Sequence, residues 1–291
     1  MRNYDEIKHS QSLVSVIMPC YNDGEYIQKS VESVLLQTYP NIELIIIDDG
    51  SDSPETIEVI NELEKNERII LLRGQRLYPA GARNLGIRNA SGKFILPVDS
   101  DDLIEPTYIE KAVQVIESSE DIGVVYCKAD LFGEQTGPWQ LPDYSFEHML
   151  LDNIVFVTAL FYKADWEKVG GFSTEMRQGM EDYDFWLSIL EIGKEIYQIP
   201  ETLFHYRIKT VSRTTNFQQS EESVKEIYRK IYLRHSELYM KYHVQYAMIL
   251  RDALIDQLFI NRALKKSVDI YERIRKVPLL KYMIKKMLGR K

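Results

Sequence analysis

Three carboxylates within four positions, Asp99, Asp101 and Asp102, close the apolar run Phe94-Ile95-Leu96-Pro97-Val98. Carboxylates this close repel one another, so a fold retains them where a cation compensates. A hard divalent ion, Mg²⁺ or Mn²⁺, prefers oxygen ligands and suits the role. An Asp-x-Asp pair at a strand's end can hold a metal that bridges two phosphates, the chemistry of an enzyme using a nucleotide diphosphate donor. The competing reading is an acidic turn that caps the following helix. Two further polar clusters, Tyr21-Asn22-Asp23 and Asp48-Asp49-Gly50-Ser51, also follow apolar runs.

Those runs read as buried strands. Leu13 to Pro19 is stopped by proline, and Ile42 to Ile47 is apolar nearly throughout, as a strand with both faces covered must be. The pattern continues with strands at 68–72, 93–98 and 122–127. Helices are expected at 25–37, 54–64, 80–89 and 106–118, since Ile27, Val31, Val34 and Leu35 recur at helical spacing. Strands alternating with helices imply an α/β fold with a mostly parallel sheet. Ligands bind such sheets beyond the carboxyl ends of the strands. The three polar clusters fall at such ends and should converge on one crevice. Residues 130–215 are less regular: a Gly/Pro-rich loop (133–142), a strand at 155–162, a polar turn at 179–182 and a helix at 183–191. Beyond 215 the pattern is helical, with a break at Pro278.

The composition is that of a globular chain: 291 residues, 45% hydrophobic and 27% charged. The net charge of −8 divides unevenly. Residues 265–291 carry ten Lys or Arg against two acids, leaving the rest strongly acidic. An acidic body argues against general nucleic-acid binding. Cys20 and Cys127 make no disulfide framework, and no apolar leader or transmembrane run is visible, so a cytoplasmic protein is expected. A nicotinamide oxidoreductase is disfavoured, because no Gly-x-Gly-x-x-Gly follows the first strand. The Gly-rich, Lys-containing loop of a sugar-nucleotide pyrophosphorylase is missing after Pro19.

Five segments then appear in order: Val14 to Asn22, Ser33 to Pro40, Asp48 to Ser51, Ala82-Arg83-Asn84-Leu85-Gly86, and Asp99 to Asp102. Together they resemble the family 2 inverting glycosyltransferases of the GT-A fold, over roughly residues 12–215. The resemblance implies a Rossmann-like GT-A domain at 1–215, with a nucleotide-sugar-binding half (12–130) and an acceptor-side half (131–215). A helical C-terminal extension (216–291) follows. It implies transfer of a hexose or N-acetylhexosamine from a UDP-sugar to a sugar hydroxyl, with inversion and with a divalent metal. The acceptor would be a growing polysaccharide, a lipid-linked glycan or a glycoprotein glycan. The alternative is a non-catalytic member that binds a nucleotide or glycan.

By the same resemblance, Pro19, Tyr21, Asn22, Asp23, Asp49, Ser51, Arg83, Asp99 and Ser100 line the nucleotide-sugar site. Asp49 would accept the N3–H of uracil, with Asp48 structural. Asp101 would bind the metal, which stabilises the departing diphosphate. Asp182 is the expected base that takes the acceptor proton. Glu181 and Trp186 stand on the acceptor side, with Trp186 either stacking on a sugar or packed in the core. His205, Arg207 and Lys209 would share one face of an edge strand. The family's His two residues after the Arg is here Lys209. Arg207 and Lys209 also belong to the expected nucleotide-sugar site, where cations neutralise the diphosphate; either His205 ligates the metal, or the protein uses fewer ligands and Lys209 serves as a cation. Arg76 is an unassigned cation in a loop, 73–79, that departs from the family's Asn- and Gly-rich pattern. Ser212 to Thr215 could close over the donor.

Tyr228, Tyr232, Tyr239, Tyr242 and Tyr246 form a helical stripe suited to packing. The tail, 277–291, alternates apolar and basic residues. It reads as a peripheral membrane contact or as a surface for homo-oligomerisation.

Overall fold

The computed structural model describes residues 11–177, 179–210 and 220–275. The described residues up to 239 form one compact unit, and those from 240 onward a second. The first unit is built on a nine-stranded sheet. Its amino-terminal half comprises β1 (Val14–Cys20), β2 (Ile42–Asp48), β3 (Ile69–Arg73) and β4 (Phe94–Pro97). They run parallel in the order β3-β2-β1-β4, so their carboxyl ends share one edge of the sheet. Helices α1 (Gly24–Leu35), α2 (Pro54–Leu63) and α3 (Tyr78–Asn89) are the crossovers.

Local chemistry places these elements. On β2, the four residues from Leu44 to Ile47 are all buried, because helices cover both faces. Helix α2 starts where the Ser53 side chain accepts the Thr56 N–H, with Pro54 in the first turn. Helix α3 contains two glycines, which intrinsic propensity disfavours. Gly86 is there for close approach: a Cβ on it would lie 2.7 Å from Ile17 Cγ2 and Ile47 Cδ1. The helix therefore rests directly on β1 and β2.

The second half of the sheet is mixed. It holds β5 (Leu103–Ile104), β6 (Ile122–Gly133), β7 (Gly137–Pro138), β8 (Leu160–Tyr162) and β9 (Glu195–Ile208). β8 lies antiparallel between β4 and β6, and β9 runs parallel to β6 and antiparallel to β5. Two expectations change here. The strand expected at 155–162 is only Leu160–Tyr162, because Val155 and Phe156, though buried, line a cavity instead of pairing. The segment at His205 is no edge: it completes a fourteen-residue strand paired on both sides.

Helices α4 (Tyr108–Ile116), α5 (Phe146–Leu151), α6 (Lys163–Val169) and α7 (Glu181–Glu191) flank this half. The compact unit continues past 215 through α8 (Glu221–Arg234). The reason is polar as well as apolar: Arg234 Nε donates to Asp184 Oδ1 at 2.7 Å, and buried His235 lies between Asp184 and Glu191. Of the tyrosine stripe, Tyr228 bonds Asp152, and the Tyr239 hydroxyl lies 3.3 Å from that of buried Tyr183. A short helix, α9 (Ser236–Lys241), follows, and the second unit is mostly α10 (His243–Arg275). No helix among the described residues is long and apolar enough to cross a membrane. The basic tail at 277–291 and the loop at 212–215 lie outside the described residues.

Candidate active site

The carboxyl ends of β1, β2 and β4 meet at a cavity of about 130 Å³. Pro19, Tyr21, Asp23, Asp49, Arg83, Asp99, Ser100 and Asp101 line it, together with Arg76. Three clusters far apart in sequence thus face one space. Asn22 and Ser51 do not line it. They tie its walls together: Asn22 Oδ1 accepts the N–H groups of Asp52 and Ser53 at 3.0 Å, and the Ser51 hydroxyl accepts the Asn22 N–H at 3.1 Å. Asn22 takes a positive φ of 58°, a backbone state asparagine tolerates well.

Asp48 and Asp49 both act on backbone. Asp48 accepts the Ser51 N–H at 2.9 Å. Asp49 accepts from Leu77 N–H through one oxygen and from Tyr78 N–H, at 2.8 Å, through the other. It therefore anchors the loop that enters α3, while still lining the cavity. The loop carries strain that this anchoring offsets, since Arg76 and Tyr78 have φ of 57° and 64°. Its product is the placement of Arg76, whose guanidinium lies 3.3 Å above the Tyr21 ring and 3.5 Å from Asp49 Oδ2. The sequence marked Arg76 only as a spare cation; its partners depend on the loop's path.

Arg83 stands at the junction of two cavities. It is buried, and its guanidinium donates to Asp99 Oδ1 at 2.6 Å and to Glu181 Oε1 at 2.8 Å. Burial opposes its charge, but Asp99 and Glu181 outweigh that cost and hold it firmly protonated. Its neighbour Asn84 fixes the helix from the other side, donating to Phe172 O at 2.7 Å and accepting from Trp166 Nε1 at 3.1 Å.

The second cavity, of about 230 Å³, shares Arg83 and Asp99 with the first. Asn153, Glu181 and Asp182 form its polar side. Trp139, Phe156, Phe204 and Tyr206 form its apolar side, with Trp139 stacked 4.7 Å from Tyr206 and 5.8 Å from Phe156. Sequence reasoning missed this aromatic wall. Trp139 sits in an irregular loop, and only the fold brings it to β9. Asp182 opens α7, where Gly179 and Met180 take positive φ to turn the chain. Burial, reinforced by the Glu181 charge, pushes the Asp182 carboxyl up to about 6. A carboxylate so tuned can take a proton from a hydroxyl near neutral pH.

Trp186 requires a correction. It is fully buried, its indole N–H donates to Val155 O at 3.0 Å, and Phe161 and Phe185 pack on it. No face remains for a sugar; the core role is the one realised. Glu181 is likewise buried, and it forms an ion pair with Arg83.

The expected metal ligands do not assemble. His205 has both ring nitrogens engaged, Nδ1 by Asp130 and Nε2 by Glu105 at 2.7 Å. Burial opposes its protonation, but the hydrogen bonds to Asp130 and Glu105 prevail and raise its pKa. Asp101 instead meets Lys209, whose Nζ lies 2.7 Å from Asp101 Oδ2 and 2.6 Å from Asp23 Oδ1. Asp23 also accepts the Ser100 hydroxyl at 2.8 Å. Arg207 donates from its backbone to Asp102 and from Nε to Asp101 O, both at 2.8 Å, with its guanidinium between Tyr26 and Phe132. Among the described residues, no group of three or more His, Cys, Asp or Glu is arranged to hold a metal ion. The two carboxylates nearest the Asp-x-Asp turn that could hold a cation, those of Asp23 and Asp101, hold the Lys209 ammonium.

A parallel α/β half-sheet with an acidic Asp-x-Asp at its carboxyl edge, joined to a mixed half-sheet, defines the GT-A class. The chain belongs to glycosyl transferase family 2, whose pattern its residues 15–176 match. It is 33% identical over 233 residues to an uncharacterized glycosyltransferase of Haemophilus influenzae, covering 75% of this chain and 78% of that protein. It is 30% identical over 191 residues to chondroitin synthase of Pasteurella multocida, covering 64% of this chain but 20% of that protein. Among solved structures it resembles residues 1–349 of S. aureus TarS in complex with UDP, with a TM-score of 0.62 and 20% identity. That match covers 76% of this chain and 64% of TarS 1–349, and at this identity the likeness is one of fold. The chain is a glycosyltransferase.

Proposed function

We propose that the protein transfers a hexose or N-acetylhexosamine from a UDP-sugar to a sugar hydroxyl of a growing polysaccharide, lipid-linked or glycoprotein glycan, with inversion. The observation that carries this reading is the meeting of two cavities at Arg83 and Asp99. The smaller holds the nucleotide and diphosphate, against Tyr21, Asp49 and the Asp99-Ser100-Asp101 turn. The larger holds the acceptor. Asp182, in the larger cavity, removes the proton of the acceptor hydroxyl as its oxygen bonds to the anomeric carbon. The carbon–oxygen bond to the diphosphate breaks on the opposite face, and its electron pair leaves with the diphosphate. Charge on that leaving group is met by the cations at its end of the site. The expected Mn²⁺ or Mg²⁺ has no assembled ligand group to hold it among the described residues.

The fold likeness to TarS in its complexes with UDP and with UDP-GlcNAc supports a UDP-sugar donor. Helix α10 exposes Leu254, Ile255, Leu258, Phe259 and Ile260, which supports a contact with a membrane surface or a second copy. Calorimetric titration with UDP, CDP, GDP and dTDP tests the donor assignment. UDP-selective binding is expected; selectivity for another nucleotide would keep the transferase and overturn the donor.

A further inference from the structure

We infer that Lys209 is the resident cation for the donor's diphosphate, so that this glycosyltransferase binds its nucleotide without a divalent metal ion. The inference rests on the nucleotide-diphosphate reading above and concerns the same site.

The position of Lys209 follows from strand register. Antiparallel pairing sets His205 opposite Leu103, and Arg207 N–H continues to Asp102. Two residues further on, Lys209 arrives over Asp101. Its ammonium is held at 2.7 Å by Asp101 Oδ2 and at 2.6 Å by Asp23 Oδ1, carboxylates that come from two different strand ends. The Tyr26 ring lies 4.9 Å from the same nitrogen.

This geometry excludes a second cation from the same oxygen. A Mg²⁺ or similar ion bound to Asp101 Oδ2 would sit about 2.0–2.2 Å from that oxygen, within contact of the ammonium already there. Like charges at that separation repel strongly in a part-buried site. Nor does His205 offer a second ligand, because both its nitrogens are committed to Asp130 and Glu105.

Lys209 has what a phosphate contact needs. An ammonium carries three N–H donors, and the two carboxylates use two. Lys209 does not itself line the cavity, but both carboxylates that hold it do, and its side chain is 24% exposed, which leaves the remaining donor open to an anion bound against Asp101. Asp23 and Asp101 then act as positioning residues: they hold the ammonium at the diphosphate's place before the donor arrives.

The test is UDP titration by calorimetry on the full chain, in EDTA and again in Mn²⁺. The wild-type Kd in the two conditions should agree within about 3-fold. Lys209→Met should weaken binding in EDTA by about 10-fold or more, and Lys209→His should recover affinity when Mn²⁺ is added. A wild-type Kd that weakens more than about 10-fold in EDTA would overturn the inference while leaving the transferase reading intact. Absence of UDP binding in both conditions would overturn the nucleotide reading itself, and the inference with it. The wild-type comparison decides the matter even if a Lys209 variant fails to fold.

Discussion

Arg83 and Glu181 form an ion pair of 2.8 Å between side chains that are each 2% exposed, although 98 residues separate them in sequence. The pair joins α3, which enters the nucleotide-side cavity, to the first turn of α7, which carries Asp182. It couples the two halves of the site. Arg83→Ala removes the cation between the buried Glu181 carboxylate and Asp99 and should cost roughly 3–5 kcal/mol of stability. Urea unfolding measures this. Arg83→Lys should recover only part of it, since an ammonium cannot bridge Asp99 and Glu181 in the planar geometry of a guanidinium. Full recovery by lysine would show that charge alone matters.

Asp182 should set the acid limb of the rate profile. With its carboxyl pushed up to about 6, kcat/KM should fall as pH drops below that value. Asp182→Asn should lower kcat by about 10²–10⁴-fold and leave UDP affinity unchanged. Stability moves the other way. The folded value lies above the unfolded value of about 3.9, so stability from the protonated acid is lost as pH rises through that window. At a pH of about 7.5, above that window, the Asn variant should therefore melt at or above the parent temperature. Retained turnover in Asp182→Asn would remove it as the base.

His205 should behave as a structural cation. Its pKa is raised by Asp130 and Glu105, so its contribution to stability is complete below about pH 6.5 and is lost as pH rises through the folded value. His205→Ala should lower the melting temperature more at about pH 6 than at about pH 9. An equal loss at both values would mean that the ion pairs contribute nothing.

Arg76 should oppose nucleotide entry. A guanidinium 3.3 Å above Tyr21 covers the ring face on which a base would stack. Arg76→Ala should tighten UDP binding by about 3-fold or more, read as Kd by calorimetry. Weaker binding would mean that the guanidinium itself contacts the nucleotide.

Much of this was legible in the sequence. The alternation of apolar runs with helical spacing gave the order of strands and helices in the first half, because each strand buried on both faces must be apolar throughout. The polar clusters after β1, β2 and β4 follow from the same rule, since a parallel sheet gathers its carboxyl ends at one edge. Arg83 and Asn84 were legible as a unit for their company with Ala82 and Gly86.

Tertiary structure alone decided the rest, because it depended on which distant groups meet. A tryptophan one turn into a helix reads the same whether it faces solvent or core, and only packing against Phe161 and Phe185 put Trp186 inside. The ring of His205 could have faced a metal; Asp130 and Glu105, brought alongside by β6 and the β5 turn, took both its nitrogens. The sequence left Lys209 as one of two alternatives. Strand register chose between them, by setting the ammonium against Asp101 and Asp23.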